Sequence, residues 1–199
     1  MTTTLRELIL RQGARLQGRP ALTAPGWGTL SHAQLRQRVE GLAMGLLAVR
    51  PALPVFSATG TAWDWAAELA AAACGLPWDP GAPPVPPDLL GGPAFHAEAG
   101  RGPFHERERL VGPGTLFQGA LTHGELLARL RRLNVRLGWD HETALALPLP
   151  RLGEPGCRAI LWSALYAGGH LVLAGPGAAA DPDLTTVQPE APDFGTLWA

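Results

Sequence analysis

A six-residue pattern occurs twice in this chain: Leu30-Ser31-His32-Ala33-Gln34-Leu35 returns in the second half as Leu121-Thr122-His123-Gly124-Glu125-Leu126. Each copy opens with a hydroxyl residue that can cap a helix, and a Gln or Glu comes three positions on, the reciprocal capping box. The elements after it repeat as well: a helix, a short apolar stretch (53–57 and 143–147), a second helix, a glycine (Gly75 and Gly169) and another extended segment. Helix–strand–helix–strand order favours parallel pairing through right-handed crossovers, with both faces of the sheet covered. The predicted class is therefore α/β, a mostly parallel sheet flanked by helices and built from two pseudo-repeated halves. Six residues are few, and two unrelated N-caps are the competing account of the match.

Local signals place the other elements. Thr4-Leu5-Arg6-Glu7 is a third capping box, opening an amphipathic helix through Leu5, Leu8, Ile9 and Leu16. Residues 21–23 read as a short strand and Gly26-Trp27-Gly28 as a turn. Leu35, Val39, Leu42, Ala43, Leu46 and Leu47 form the apolar face of the helix after Ser31, and Leu126, Leu127, Leu130, Leu133 and Leu137 that of the helix after Thr122. Helices are also predicted at 61–74 and Pro155–Ala167, a short extended piece at 76–78, a strand at 170–173, and a stiff proline-rich loop at 79–92. These signals define one α/β domain over 1–176, with halves at about 1–92 and 107–176. Residues 177–199 are expected to form a tail or arm, whose Phe194 and Trp198 could dock on the chain's own core or on another subunit.

Composition narrows the chemistry. The Lys+Arg total of 16 is entirely arginine, which excludes a Schiff base, a Walker lysine or any catalytic ammonium. A net charge of −1 gives no general reason to expect nucleic acid as a partner. No apolar run is long enough to span a bilayer, and no signal peptide is evident, so a cytoplasmic setting with Cys74 and Cys157 as buried, reduced thiols is expected. His96, Glu98, His105, Glu106 and Glu108 match no helical two-ligand spacing and read as a solvated loop, so no metal is expected. Arg129, Arg131, Arg132 and Arg136 form a basic stretch, read as a solvated face that an acidic partner could use.

Longer stretches carry a family resemblance. "RPALTAPGWGTLSHAQLRQRVEGLAMGL" and "LPVFSATGTAWDWAAELAAAACGLPWDPGAPP" resemble the opening module of the acyl-CoA synthetase, or adenylate-forming, superfamily. "LVGPGTLFQGALTHGELLARLRRL" and "TALALPLPRLGEPG" through "LYAGGHLVLAGP" resemble its phosphate-loop region and the segment after that loop, so the likeness runs to about Pro176. The resemblance implies that Gly112, Gly114, Thr115, Gly119 and Thr122 are what remains of a nucleotide-binding loop. His123 and Arg151 are implied as the residues facing a substrate or partner, with no catalytic residue assigned.

In this family the loop is a Ser/Thr/Gly-rich run ending in Pro-Lys-Gly, where backbone N–H groups and hydroxyls meet phosphate oxygens and lysine offsets their charge. Here Phe117 and Gln118 stand at the proline and lysine positions, and Val111, Pro113 and Leu116 interrupt the run. Each charge-assisted hydrogen bond lost costs roughly 1.5–3 kcal/mol, so tight ATP binding is not expected. The family's aromatic-His element falls at Pro150-Arg151. Its adenine, ribose and magnesium ligands and its C-terminal lysine lie downstream of residue 199. The implied function is a truncated, catalytically inactive acyl-CoA synthetase-like protein, acting as a binding or scaffold module, as a homodimer or with a partner protein and without a cofactor. The alternative is one part of an AMP-forming acyl-CoA ligase that activates a carboxylate with ATP and Mg²⁺, which would give the chain an acyl or nucleotide ligand.

Overall fold

The computed structural model describes residues 2–49, 55–85, 111–175 and 184–199. In chain order the elements are α1 (Leu5–Leu16), β1 (Pro20–Ala24), β2 (Gly28–Ser31), α2 (His32–Val49), α3 (Ala62–Cys74), β3 (Leu116–Gln118), β4 (Leu121–Thr122), α4 (His123–Leu137) and β5 (Ala144–Pro148). After these come a 3-10 turn (Leu149–Arg151), α5 (Pro155–Ala167), β6 (His170–Ala174), β7 (Thr185–Thr186) and α6 (Pro192–Gly195). All three capping boxes form. Glu7 N–H donates to Thr4 Oγ1 at 3.1 Å, Gln34 N–H to Ser31 Oγ at 3.3 Å, and Glu125 N–H to Thr122 Oγ1 at 3.3 Å. In return, the side-chain oxygens of Gln34 and Glu125 accept the N–H groups of Ser31 and Thr122.

The chain divides into two compact units, and each draws on both halves of the sequence: Met1–Leu10, Arg36–Thr59 and Trp63–Leu127 in one, Arg11–Leu35, Gly60–Ala62 and Ala128–Ala199 in the other. The second unit holds a five-stranded sheet in the order β2-β1-β6-β5-β7. Only the β1–β2 hairpin is antiparallel; β1–β6, β6–β5 and β5–β7 pair in parallel. Leu22, Leu145, Leu147, Leu171 and Leu173 bury its apolar side chains. The helix between β5 and β6, α5, starts on a proline, whose missing N–H has no partner to lose, and ends at Gly168 with φ 84°. Its last carbonyls, at Leu165 and Tyr166, accept from Gln12 Nε2 at 2.9 and 2.7 Å.

The first unit repeats this plan in miniature. Val55 and Trp78 form a parallel bridge, with Val55 N–H donating to Pro77 O at 2.8 Å and Asp79 N–H to Val55 O at 3.1 Å. Between them runs α3, whose alanines and Trp65 are buried on all sides. Arg6 donates to Ala73 O at 3.0 Å, placing a cation at the negative end of that helix. Trp78 N–H then donates to Phe117 O at 2.6 Å, adding the β3–β4 hairpin. In both units, strand–helix–strand from one half is completed by the hairpin of the other half.

Two expectations need adjusting. The strand expected at 53–57 is a single bridge at Val55, with 53 and 54 outside the described residues. The stretch expected as loop to Gly119 closes in a hairpin, since Leu116-Phe117-Gln118 alternates exposed and buried positions on the near side of a positive-φ glycine. Residues 184–199, part of the stretch expected as a tail or arm, add β7 to the sheet and bury Phe194 and Leu197. Among the described residues no helix is long and apolar enough to cross a membrane.

Candidate functional site

Most of the residues singled out by the loop resemblance meet at the start of α4. Residues 112–115 form a tight turn: Thr115 N–H donates to Gly112 O at 3.0 Å, and Gly112 N–H to Thr115 Oγ1 at 2.9 Å. Gly119 takes φ 56° in the turn joining β3 and β4, a conformation that glycine adopts without steric cost. Thr122 caps α4, its N–H and Oγ1 both reaching Glu125 Oε2, at 2.9 and 2.8 Å.

The first N–H groups of a helix have no partner within it and are what an anion would meet. Here His123 N–H donates to Thr115 O at 2.9 Å, Gly124 N–H to Pro113 O at 2.8 Å, and Glu125 N–H to Thr122 Oγ1 at 3.3 Å. The turn therefore engages the donors at the head of α4. A matching arrangement caps α2, where His32 N–H donates to Arg19 O and Ala33 N–H to Gln17 O, both at 3.0 Å. Gly124 is crowded by this contact: a Cβ there would lie 3.0 Å from Pro113 O and 3.1 Å from Pro113 Cβ, so Pro113 would have to give way. Sequence reasoning passed over Gly124; the signal was its difference from Ala33 at the matching place. Gly112 and Gly114, in contrast, have open space where a Cβ would go, and their φ is not positive.

His123 is fully buried. Its Nδ1 accepts the N–H of Leu5 at 3.3 Å, so the neutral ring carries its proton on Nε2, which has no hydrogen-bond partner among the described residues. Phe117 packs edge-on against it, with ring centroids 6.0 Å apart. Burial lowers its pKa to about 4. His32 is also buried, but its Nε2 bonds the carbonyl of Gly168 at 3.1 Å; burial, only partly opposed by that bond, lowers its pKa too.

Phe117 at the proline position is wholly buried and uses its carbonyl to hold Trp78. Gln118, at the lysine position, has a buried Oε1 without a partner among the described residues. Arg151 belongs to the second unit. There it pairs at the surface with Glu154, Nε to Oε1 at 2.9 Å, and with Glu190. Those hydrogen bonds, Glu154's first, raise its already high pKa. The histidines and acids between 96 and 108 lie outside the described residues. Among the described residues no group of acids, histidines and cysteines could hold a metal ion.

No family model and no curated protein matches the sequence. Solved structures do match the fold. VinN in complex with L-aspartate is similar at a TM-score of 0.64 and 15% identity, over 86% of this chain and 62% of that one. The N-terminal domain of FACL13 from Mycobacterium tuberculosis is similar at 0.58 and 13%, over 87% of this chain and 57% of that one. The nonribosomal peptide synthetase FmoA3, in its AMPPNP-bound form, is similar at 0.56 and 17%, over 92% of this chain and 24% of that one. The chain thus spans less than two thirds of the length of each. At such identities the likeness is one of fold, and the chain has the fold of the N-terminal part of acyl-CoA and adenylate-forming ligases.

Proposed function

We propose that the chain is a binding or scaffold module that keeps the N-terminal fold of adenylate-forming ligases and performs no adenylation itself. The observation that carries this reading is the turn at 112–115, whose carbonyls take the N–H groups a phosphate would need at the head of α4. The same capping at α2, outside the stretch that resembles a phosphate loop, supports a structural origin for it. A sequence without lysine, with Gln118 at the cation position, points the same way. Two free, buried cysteines fit a reducing, cytoplasmic setting, where the module would work with a second copy or a partner protein.

Calorimetric titration with Mg·ATP, and with acyl-adenylate analogues of several chain lengths, tests the reading. No binding is expected at about millimolar ligand, a standard free energy weaker than roughly −4 kcal/mol. Micromolar binding would return the chain to nucleotide chemistry. The alternative, one part of a ligase that activates a carboxylate with ATP, is favoured by the share of the solved ligases' length that the chain covers. It predicts ATP–pyrophosphate exchange when the downstream part of such a ligase is present.

A further inference from the structure

We propose that the exposed arginine face of α4, continued by residues 196–199, is a docking groove for an acidic protein segment that carries an apolar side chain among its carboxylates. The groove has a volume of about 730 Å³ and is lined by Arg129, Arg131, Arg132, Val135, Arg136 and Leu197, among others. Residues 128–137 contain four arginines and no acid, in a chain whose net charge is −1. Ala128, Arg131, Arg132 and Val135 keep the i, i+3, i+4, i+7 spacing of one helical face, and all are exposed. Val135, at 79% exposure, is an apolar side chain left in water between guanidinium groups.

The chain itself shows what this helix can hold. Arg136 pairs with the Asp193 carboxylate at 3.2 Å, and Arg129 donates to the carbonyls of Leu197, at 3.0 Å, and Ala199. Leu197 is buried. An acid and a leucine of the C-terminal segment are thus held by two arginines and apolar burial. The neighbouring face offers the same chemistry unfilled, since neither Arg131 nor Arg132 has a hydrogen bond or ion pair among the described residues. Planar guanidinium forks match carboxylates bidentately, and an apolar anchor beside them selects a peptide over a bare anion. Nucleic acid fits less well, because its affinity grows with the number of phosphates that Lys and Arg neutralise, and two of the four cations here are already committed.

This inference rests on the binding-module reading, and its test separates the two. A fluorescein-labelled peptide of repeating Glu-Glu-Leu triplets is titrated into the full chain at low salt and monitored by anisotropy, beside its Gln-Gln-Leu counterpart. The acidic peptide should bind at least ~10-fold more tightly than the neutral one, and weaken by a similar factor as salt is raised. The Arg131→Glu/Arg132→Glu variant should lose that binding while keeping the parent's melting temperature, and Val135→Asp should weaken it. No acidic-peptide binding at about millimolar concentration, or equal binding by the double variant, would overturn the proposal. So would tighter binding of a single-stranded oligonucleotide or of phosphatidylserine vesicles, if the same variant abolished it. A positive Mg·ATP titration with normal peptide binding would instead overturn only the nucleotide-free reading.

Discussion

Of the two histidines that begin the matching helices, only His123 keeps a buried ring nitrogen without a partner among the described residues. Protonating its Nδ1 would end the bond from Leu5 N–H and place a charge in an apolar site. Its folded pKa of about 4 lies below the usual 6.5, so between those values the unfolded chain takes up a proton that the folded chain refuses. Stability should therefore be flat above pH 6.5 and fall toward pH 4, by up to roughly 1.4 kcal/mol per pH unit from this group. His32 and His170, both lowered chiefly by burial, add to the loss in the same direction. Urea unfolding at several pH values checks this, and His123→Gln should flatten the slope relative to the parent. An unchanged slope would show that His123 does not control it. Arg151 is of the other kind: exposed and tied to two carboxylates, it contributes little that salt would not screen.

At the scale of elements, the hairpin-to-helix joint is the recurring device. A turn upstream of each hairpin supplies two carbonyls, and the helix after the hairpin donates its first N–H groups to them. If the 112–115 turn is a cap, its glycines should be replaceable and Gly124 should not. Gly112→Ala and Gly114→Ala meet open space, so they should leave thermal stability within about 0.5 kcal/mol of the parent or raise it slightly. Gly124→Ala pushes Pro113 away and should cost more than about 1 kcal/mol, as overpacking does. Equal effects at all three positions in a denaturation series would sink the capping account. The capping boxes, the helices and the parallel β5 and β6 were legible in the sequence because each has a local cause: a hydroxyl with its Gln or Glu, an apolar face, or a glycine stop. The turn's carbonyl contacts were not legible, since Pro113 and Thr115 act through backbone atoms whose partners depend on the chain's path. β7 escaped for a similar reason: Thr185 and Thr186 are strand only because β5 offers them a free edge.

At the scale of the molecule, the second unit is closed by a stretch whose sequence reads as a tail or arm. Trp198 Nε1 donates to Pro155 O at 2.8 Å, and Arg158 lies 4.2 Å from the centre of the Trp198 ring. A Cβ on Gly156 would stand 2.0 Å from Pro189 O, so the segment lies directly on the start of α5. Cys157 sits among these contacts, buried, with its thiol pushed up to about 11, chiefly by burial. Removing residues 193–199 should cost several kcal/mol, since fully burying each large apolar side chain is worth about 1.5–3 kcal/mol, and should speed the reaction of Cys157 with a thiol reagent. Gly156→Ala should do the same more mildly; unaltered thiol kinetics in both would contradict the packing described. The exchange of hairpins reaches further. A gene broken between residues 85 and 111 would encode one product with a hairpin but no β5 and β6 to receive it, and another whose β6 bares the row of N–H and C=O groups that β1 now covers. Inheritance must therefore treat the two copies as one object, because neither can be lost, duplicated or transplanted without leaving a raw sheet edge behind.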